Sequence, residues 1–215
     1  MSTMTPKAKQ PTKPEAAHPN GDPQLAPPSH EQGQLPDPVP EHPLLSGKRE
    51  IGRGRFSIVL DAGPERVYKI VTHPDEYLYY TADDRPQGPH FPIVHAYHGI
   101  IGRSSLGYPM HLFEMEKLYP LPEQSPAGQL ARRLAAVYWE MCKQWGELSR
   151  KMGAIALQQM VQTQPPFDKT LTEALDALAR FIEQYRLLPD LIAQDNLMMR
   201  KDGTLVFSDP LVLEE

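Results

Sequence analysis

The chain has 215 residues, a formal charge of −5, one cysteine and 24 prolines, a size that suits one domain plus an extension. A single cysteine excludes an internal disulfide framework or a thiolate zinc cluster, and the acidic balance excludes a globally basic, nucleic-acid-coating protein. No apolar run approaches the roughly 18 to 20 residues of a helical membrane span, and the first residues lack the basic start and apolar stretch of a secretory signal. The expectation is a soluble cytoplasmic protein that contacts neither nucleic acid nor membrane directly, with its oligomeric state left open.

Eleven of the prolines lie between Pro6 and Pro43, where aromatics are absent. Such a segment buries too little apolar surface to offset its ordering entropy, which predicts a disordered, Pro-rich tail over residues 1–45. The next stretch reads as β structure. Ile58, Val59 and Leu60 form one β-rich run, Ala62-Gly63-Pro64-Glu65 turns the chain, and Val67, Tyr68 and Ile70 form the return. Residues 75–83 suit a short helix. Residues 91–101 and 109–118 read as two further strands around a turn from Gly102 to Gly107. The second half is helical. Ser125 and Pro126 make an N-cap and first-turn pair, followed by an apolar stripe of Leu130, Leu134, Val137, Met141, Trp145 and Leu148. A second helix is expected from Thr170, which has capping-box spacing to Glu173, and is expected to stop at Pro189. A closing hairpin turns at Lys201-Asp202-Gly203. Strands, then helices, then a small hairpin make an α+β plan.

Three segments carry chemistry. In Ile51-Gly52-Arg53-Gly54-Arg55-Phe56-Ser57 two glycines on a β-turn would let the backbone approach phosphates without a Cβ clash. Ser57 stands where a third glycine would complete a nucleotide-covering loop. Lys69 sits on the returning strand between apolar neighbours, where an ammonium is costly unless an anion meets it. Glu76, or failing that Asp75, is the candidate acidic partner at the start of the short helix. Finally, a loop carries Asp190 and Asn196, and the hairpin brings the chain back to Asp209, thirteen residues after Asn196. An amide oxygen and a carboxylate brought together in this way can share a hard Mg²⁺ ion, while Asp190 could orient the proton of an attacking hydroxyl. His95 and His98 alternate poorly for one strand face and are not taken as metal ligands. Cys142 is read as a small core residue.

Glycine loop, strand lysine, catalytic loop and metal aspartate occur in the order of a protein kinase. The chain resembles the small serine/threonine kinases of T-seven-type bacteriophages, an outlying branch of the protein-kinase-like superfamily. The resemblance covers about residues 46–213 and is carried by the glycine loop, by Val67-Tyr68-Lys69, by Phe91-Pro92-Ile93-Val94-His95, by Phe113-Glu114-Met115-Glu116 and most specifically by the stretch from Asn196 to Pro210.

The resemblance implies a minimal two-lobed fold, with a β-rich lobe over 46–118 and a reduced helical lobe over 119–215. It implies ATP and Mg²⁺ as cofactors and phosphoryl transfer to host-protein hydroxyls, the transcription machinery among the candidate targets. Gly52, Gly54, Phe56 and Ser57 would cover the phosphates and Lys69 would hold them. Glu114 and Glu116 would mark the hinge that takes the adenine, Asn196 and Asp209 would carry the metal, and Asp190 would act on the hydroxyl. Three departures stand out. No histidine precedes Asp190. The base of related loops lies five residues before the metal asparagine, where this chain has Leu191. Pro210-Leu211 replaces phenylalanine-glycine after the metal aspartate. The sequence ends at Glu215, which predicts no control by activation-loop phosphorylation. These departures motivate the alternative of a catalytically dead module that binds and inhibits a host protein. A small-molecule phosphotransferase of the aminoglycoside type shares the lobes and hairpin, and ranks third because a large helical insert is lacking.

Overall fold

The computed structural model describes residues 37–143, 150–162, 167–191 and 196–212. In chain order the elements are β1 (Glu50–Arg53), β2 (Ser57–Asp61), β3 (Arg66–Val71), α1 (Pro74–Thr81), β4 (Val94–Arg103), β5 (Pro109–Glu116), α2 (Pro126–Lys143), α3 (Arg150–Gln162), α4 (Lys169–Tyr185), β6 (Leu188–Pro189), β7 (Leu197–Met199), β8 (Leu205–Phe207) and β9 (Leu211–Val212). The fold is α+β. Five strands form one antiparallel sheet in the order β1-β2-β3-β5-β4, and two small ladders, β6–β9 and β7–β8, accompany the helices.

Strand alternation divides the apolar residues between the two faces of this sheet. On one face Ile58, Leu60, Ile70, Met110 and Leu112 enclose a small cluster with Leu45. On the other, Val67, Val71, Phe113 and Met115 join the larger core, which runs through α1 into α2, α3 and α4 by way of Tyr79, Leu134, Leu157, Leu175 and Leu178. The apolar stripe of α4 is enclosed, Leu171, Leu175 and Leu178 having no exposed surface.

Several boundaries differ from the sequence reading. Residues 37–45, expected to belong to the tail, are packed. Leu45 is buried, Val39 and Leu44 lean on the smaller cluster, and Asp37 accepts from the Ser105 amide at 2.6 Å. The two apolar positions at 44 and 45, closed into a 3-10 turn by the His42 cap, provide what the earlier prolines cannot. Residues 1–36 lie outside the described residues. The long helix expected from Ser125 is capped as anticipated, Ser125 Oγ accepting from the Gly128 amide at 3.0 Å. It is described only to Lys143, so Trp145 and Leu148 fall outside. A separate helix, α3, follows and was not anticipated. The N-cap of α4 is Asp168, not Thr170. The Asp168 carboxylate accepts from the Leu171 amide at 2.9 Å and from the Thr170 hydroxyl at 2.8 Å. An aspartate two residues upstream captures the same orphan amides more strongly because it is charged. The helix ends at Tyr185, before Pro189, through Arg186 in the left-handed region at φ 55°.

The closing hairpin is fastened to the end of the sheet. Arg200 grips Glu116 through Nε and Nη2, both at 2.7 Å, and Nη2 also donates to the Phe91 carbonyl at 2.8 Å. Tyr119 and Met199 exchange backbone hydrogen bonds of 2.8 and 2.9 Å. Buried His90 holds the Leu205 carbonyl through Nδ1 at 2.8 Å, and its own carbonyl accepts from the Phe207 amide. Main-chain groups of β7 and β8 are thus tied to the strand-rich half, and the residues that follow β8 inherit that placement.

Candidate functional site

Lys69 is the centre. It alternates with Val67 and Val71 on the core-facing side of β3, so its ammonium points inward toward α1. There it forms an ion pair with Glu76, which is only 4% exposed, and donates to the Tyr80 hydroxyl at 2.9 Å. The helix supplies both partners because Glu76 and Tyr80 are four residues apart and share a face. Asp75 does not compete. It lies in the first turn beside His73, which caps the helix by accepting the Asp75 amide at 3.2 Å.

Asp209 reaches the same place from the other end of the chain. It follows β8 directly, and its charge acts on both Lys69 and Glu76. Burial first, and then repulsion from Glu76, push its carboxyl up to about 7, against the opposing pull of Lys69. Burial alone would lower Lys69, but the Glu76 and Asp209 charges outweigh it and hold the ammonium above its ordinary range. The hydroxyls of Tyr79 and Tyr80 are raised well above theirs, chiefly by burial, so both remain protonated donors at neutral pH.

Asn196 and Asp190 complete the group. The Asn196 carbonyl accepts from the Ser208 amide at 3.0 Å, the Asp209 amide at 3.2 Å and the Ser208 hydroxyl at 2.9 Å. Its side-chain Nδ2 donates to the Asp190 carbonyl at 3.0 Å, leaving Oδ1 as the acceptor end of the amide. The Asp190 amide donates to the Pro210 carbonyl at 2.7 Å, and the Asp190 charge is felt at Asp209. Leu191, which occupies the position five before Asn196, is wholly buried in the core. Leu191 is thus committed to the core, while the Asp190 backbone is held between Pro210 and the Asn196 side chain. Residues 192–195, which connect the two, lie outside the described residues.

Lys69, Glu76, Asp190, Asn196 and Asp209 are thus brought together from β3, α1, the end of β6, the start of β7 and the turn after β8. Two carboxylates, Glu76 and Asp209, act on one ammonium, and the Asp190 charge adds to the field at Asp209. Among the described residues no group of three or more His, Cys, Asp or Glu side chains is arranged to hold a metal ion. The donors available are instead one carboxylate and one amide oxygen. Hard oxygen donors in small number fit Mg²⁺, which keeps waters and takes phosphate oxygens as further ligands.

The other expected residues are placed differently. Gly54 donates its amide to the Ser57 carbonyl at 2.9 Å, closing the β1–β2 turn on itself, and Gly52 is paired with Val59 in the ladder. The Phe56 ring lies 4.9 Å from the ring of His73, and the Phe56 carbonyl accepts from both the amide and the hydroxyl of Thr72 at 2.9 Å. The loop is folded onto the start of α1. Glu114 and Glu116 do not join the cluster with their side chains. Glu114 shares the opposite sheet face with Tyr68 and is paired with Arg66; Glu116 is held by Arg200. The amides of Glu116 and Lys117 donate to Ile93 and Glu65.

Sequence reasoning missed the two tyrosines. Tyr80 touches Lys69 and Glu76 directly, and the available signal was the four-residue step from Glu76 within a short helix. A groove of about 340 Å³ lies elsewhere, lined by Ala154, Ile155, Ala179, Ile182 and Arg186 among others; none of the five converging residues lines it.

No family model matches the chain, and no curated protein matches it. Among solved structures it is similar to a mutant aminoglycoside 2'-phosphotransferase IIIa in complex with GDP. The identity is 13%, the match covers 77% of this chain and 67% of that one, and the TM-score is 0.30.

Proposed function

We propose that the protein is an ATP- and Mg²⁺-dependent phosphotransferase of protein-kinase-like architecture. The observation that carries this reading is the convergence of Lys69, paired with Glu76, on the Asn196–Asp209 couple. These groups lie up to 140 positions apart in sequence, and a lysine–carboxylate pair beside an amide–carboxylate couple is the equipment of phosphoryl transfer.

In this reading Lys69 holds the phosphates. An ammonium has three N–H donors; Glu76 and Tyr80 engage two and fix the direction of the third. Asn196 and Asp209 would hold Mg²⁺, which when bound neutralises phosphate charge. Asp190 accepts or orients the proton of the acceptor hydroxyl. The buried Leu191 favours this assignment over a dead site, because the extra residue in the loop leaves Asp190 on the side of Asp209. Gly52, Gly54, Phe56 and Ser57 would cover the phosphates. Neither glycine has a positive φ, and a Cβ would meet Val59 at 3.7 Å at position 52 and the Ser57 hydroxyl at 3.3 Å at position 54. The loop's own conformation does not demand glycine, so close approach by a ligand is a better reason for it. The acceptor class we infer, from the resemblance to phage kinases, is a protein serine or threonine hydroxyl, with host proteins as substrates.

The test is transfer of radiolabelled phosphate from ATP to proteins of a bacterial lysate. Wild type should label substrates, and Lys69→Ala, Asp209→Ala and Asp190→Asn should each lose most of that labelling while remaining folded. Equal labelling by all three variants would reject these roles. Mg-ATP binding without transfer by wild type would favour the inhibitory module.

A further inference from the structure

The two tyrosines of α1 form a connection that the lysine–carboxylate pair does not require. The Tyr79 hydroxyl donates to the Phe207 carbonyl at 2.9 Å. The Tyr80 oxygen accepts from Lys69 at 2.9 Å, and its proton lies between Glu76 Oε1 at 3.1 Å and the Ser208 carbonyl at 2.9 Å. Both rings are buried, and the Tyr80 ring packs against Phe113 at 5.4 Å. Successive residues of one helix thus grip successive carbonyls of the chain entering Asp209.

We propose that Tyr80 is a positioning residue that locks α1 to the Ser208–Asp209 turn, so that the lysine side and the aspartate side of the site are assembled before any nucleotide arrives. The geometry is specific to Tyr80. Its hydroxyl alone touches Lys69, Glu76 and the Ser208 carbonyl, whereas Tyr79 anchors the same helix without bonding to either charged residue. A helix held only by the Lys69–Glu76 pair could swing away by breaking one ion pair. Here it must also break two hydroxyl–carbonyl bonds inside the core, where the freed carbonyls would have no water to replace their donors. Control of the site by movement of α1 is thereby removed. This inference rests on the phosphotransferase reading for its functional consequence, but not for the lock itself.

The experiment has two readouts on the full chain. Hydrogen exchange comes first and needs no nucleotide. Tyr80→Phe, which keeps the ring and removes the hydroxyl, should raise exchange at least tenfold both in residues 77–81 and in 207–209. Unchanged exchange in either segment overturns the lock. The second readout is Mg-ATP affinity by calorimetry. Tyr80→Phe should weaken it about tenfold in the wild-type background but less than twofold in Glu76→Gln, where the pair that the hydroxyl orients is already lost. Tyr79→Phe should change affinity less than twofold in both backgrounds. Equal losses from Tyr80→Phe in both backgrounds would mean general loosening and overturn the positioning role. If wild type binds no Mg-ATP, the phosphotransferase reading fails, and exchange alone still decides the lock.

Discussion

Replacing Asp209 by asparagine should stabilise the protein, and the gain should depend on pH. In the folded chain the carboxyl is raised from 3.8 to about 7. The folded state therefore binds this proton more tightly than the unfolded state does. The penalty is absent below about pH 4, grows as pH rises through the interval between the two values, and levels off above about pH 7. A difference of roughly three units corresponds to about 4 kcal/mol at 1.36 kcal/mol per unit. Relaxation of Lys69 and Glu76 in the variant reduces the realised gain to about 2 to 4 kcal/mol. For a domain of this size each kcal/mol shifts Tm by about 2–4 °C, so Asp209→Asn should melt on the order of 5–15 °C higher than wild type at pH 8. At pH 4.5 the gain should fall to about 1 kcal/mol or less. The assay is a thermal melt of both proteins from pH 4.5 to 8.5. Mg²⁺ with ATP should stabilise wild type but not the variant, by about 2.7 kcal/mol at a hundredfold excess over Kd, and raise its Tm accordingly. A Tm difference independent of pH, or a variant less stable at pH 8, would refute the claim that the fold holds Asp209 against its own electrostatics. Stability given up at one carboxylate is what a cation-binding site requires, since the cation supplies the missing neutralisation.

Lys69→Met should cost about 3–5 kcal/mol, because Glu76 is then a buried carboxylate without its counter-ion; adding Glu76→Leu should recover much of that loss, as chemical denaturation would show. Gly54→Ala should alter stability by less than about 0.5 kcal/mol, since the added methyl meets only a movable hydroxyl, while weakening Mg-ATP at least severalfold in calorimetry; unchanged affinity would remove the loop from the site. Gly153→Ala should destabilise by about 1–3 kcal/mol. Its Cβ would stand 2.2 Å from the buried Tyr138 hydroxyl, which donates to the Pro189 carbonyl just before Asp190, so a phosphotransfer assay should register a loss of rate as well.

The sequence by itself determined the local pieces of this protein. Alternation around Lys69 decides that the ammonium faces the core, and Gly203, at φ 88°, turns the hairpin that separates Asn196 from Asp209. Ser125 caps α2 for the same local reason. Each of these features is settled within a few residues by side-chain periodicity or backbone sterics. Tertiary structure decided what those pieces meet. Glu114 and Glu116 look equivalent in sequence, but Arg66 and Arg200 claim them from distant elements. Residues 37–45 look too polar and Pro-rich to order, until the outer sheet face offers Leu44 and Leu45 a cluster to join. Leu191 is drawn wholly into the core, a placement that no local pattern announces. The step from Glu76 puts Tyr80 on the lysine's side of α1, but only packing brings its hydroxyl a carbonyl 128 residues away. The physical reason is common to all of these: periodicity and capping act over single turns, whereas an ion pair or a buried hydrogen bond is satisfied by whichever group the packed chain brings within about 3 Å.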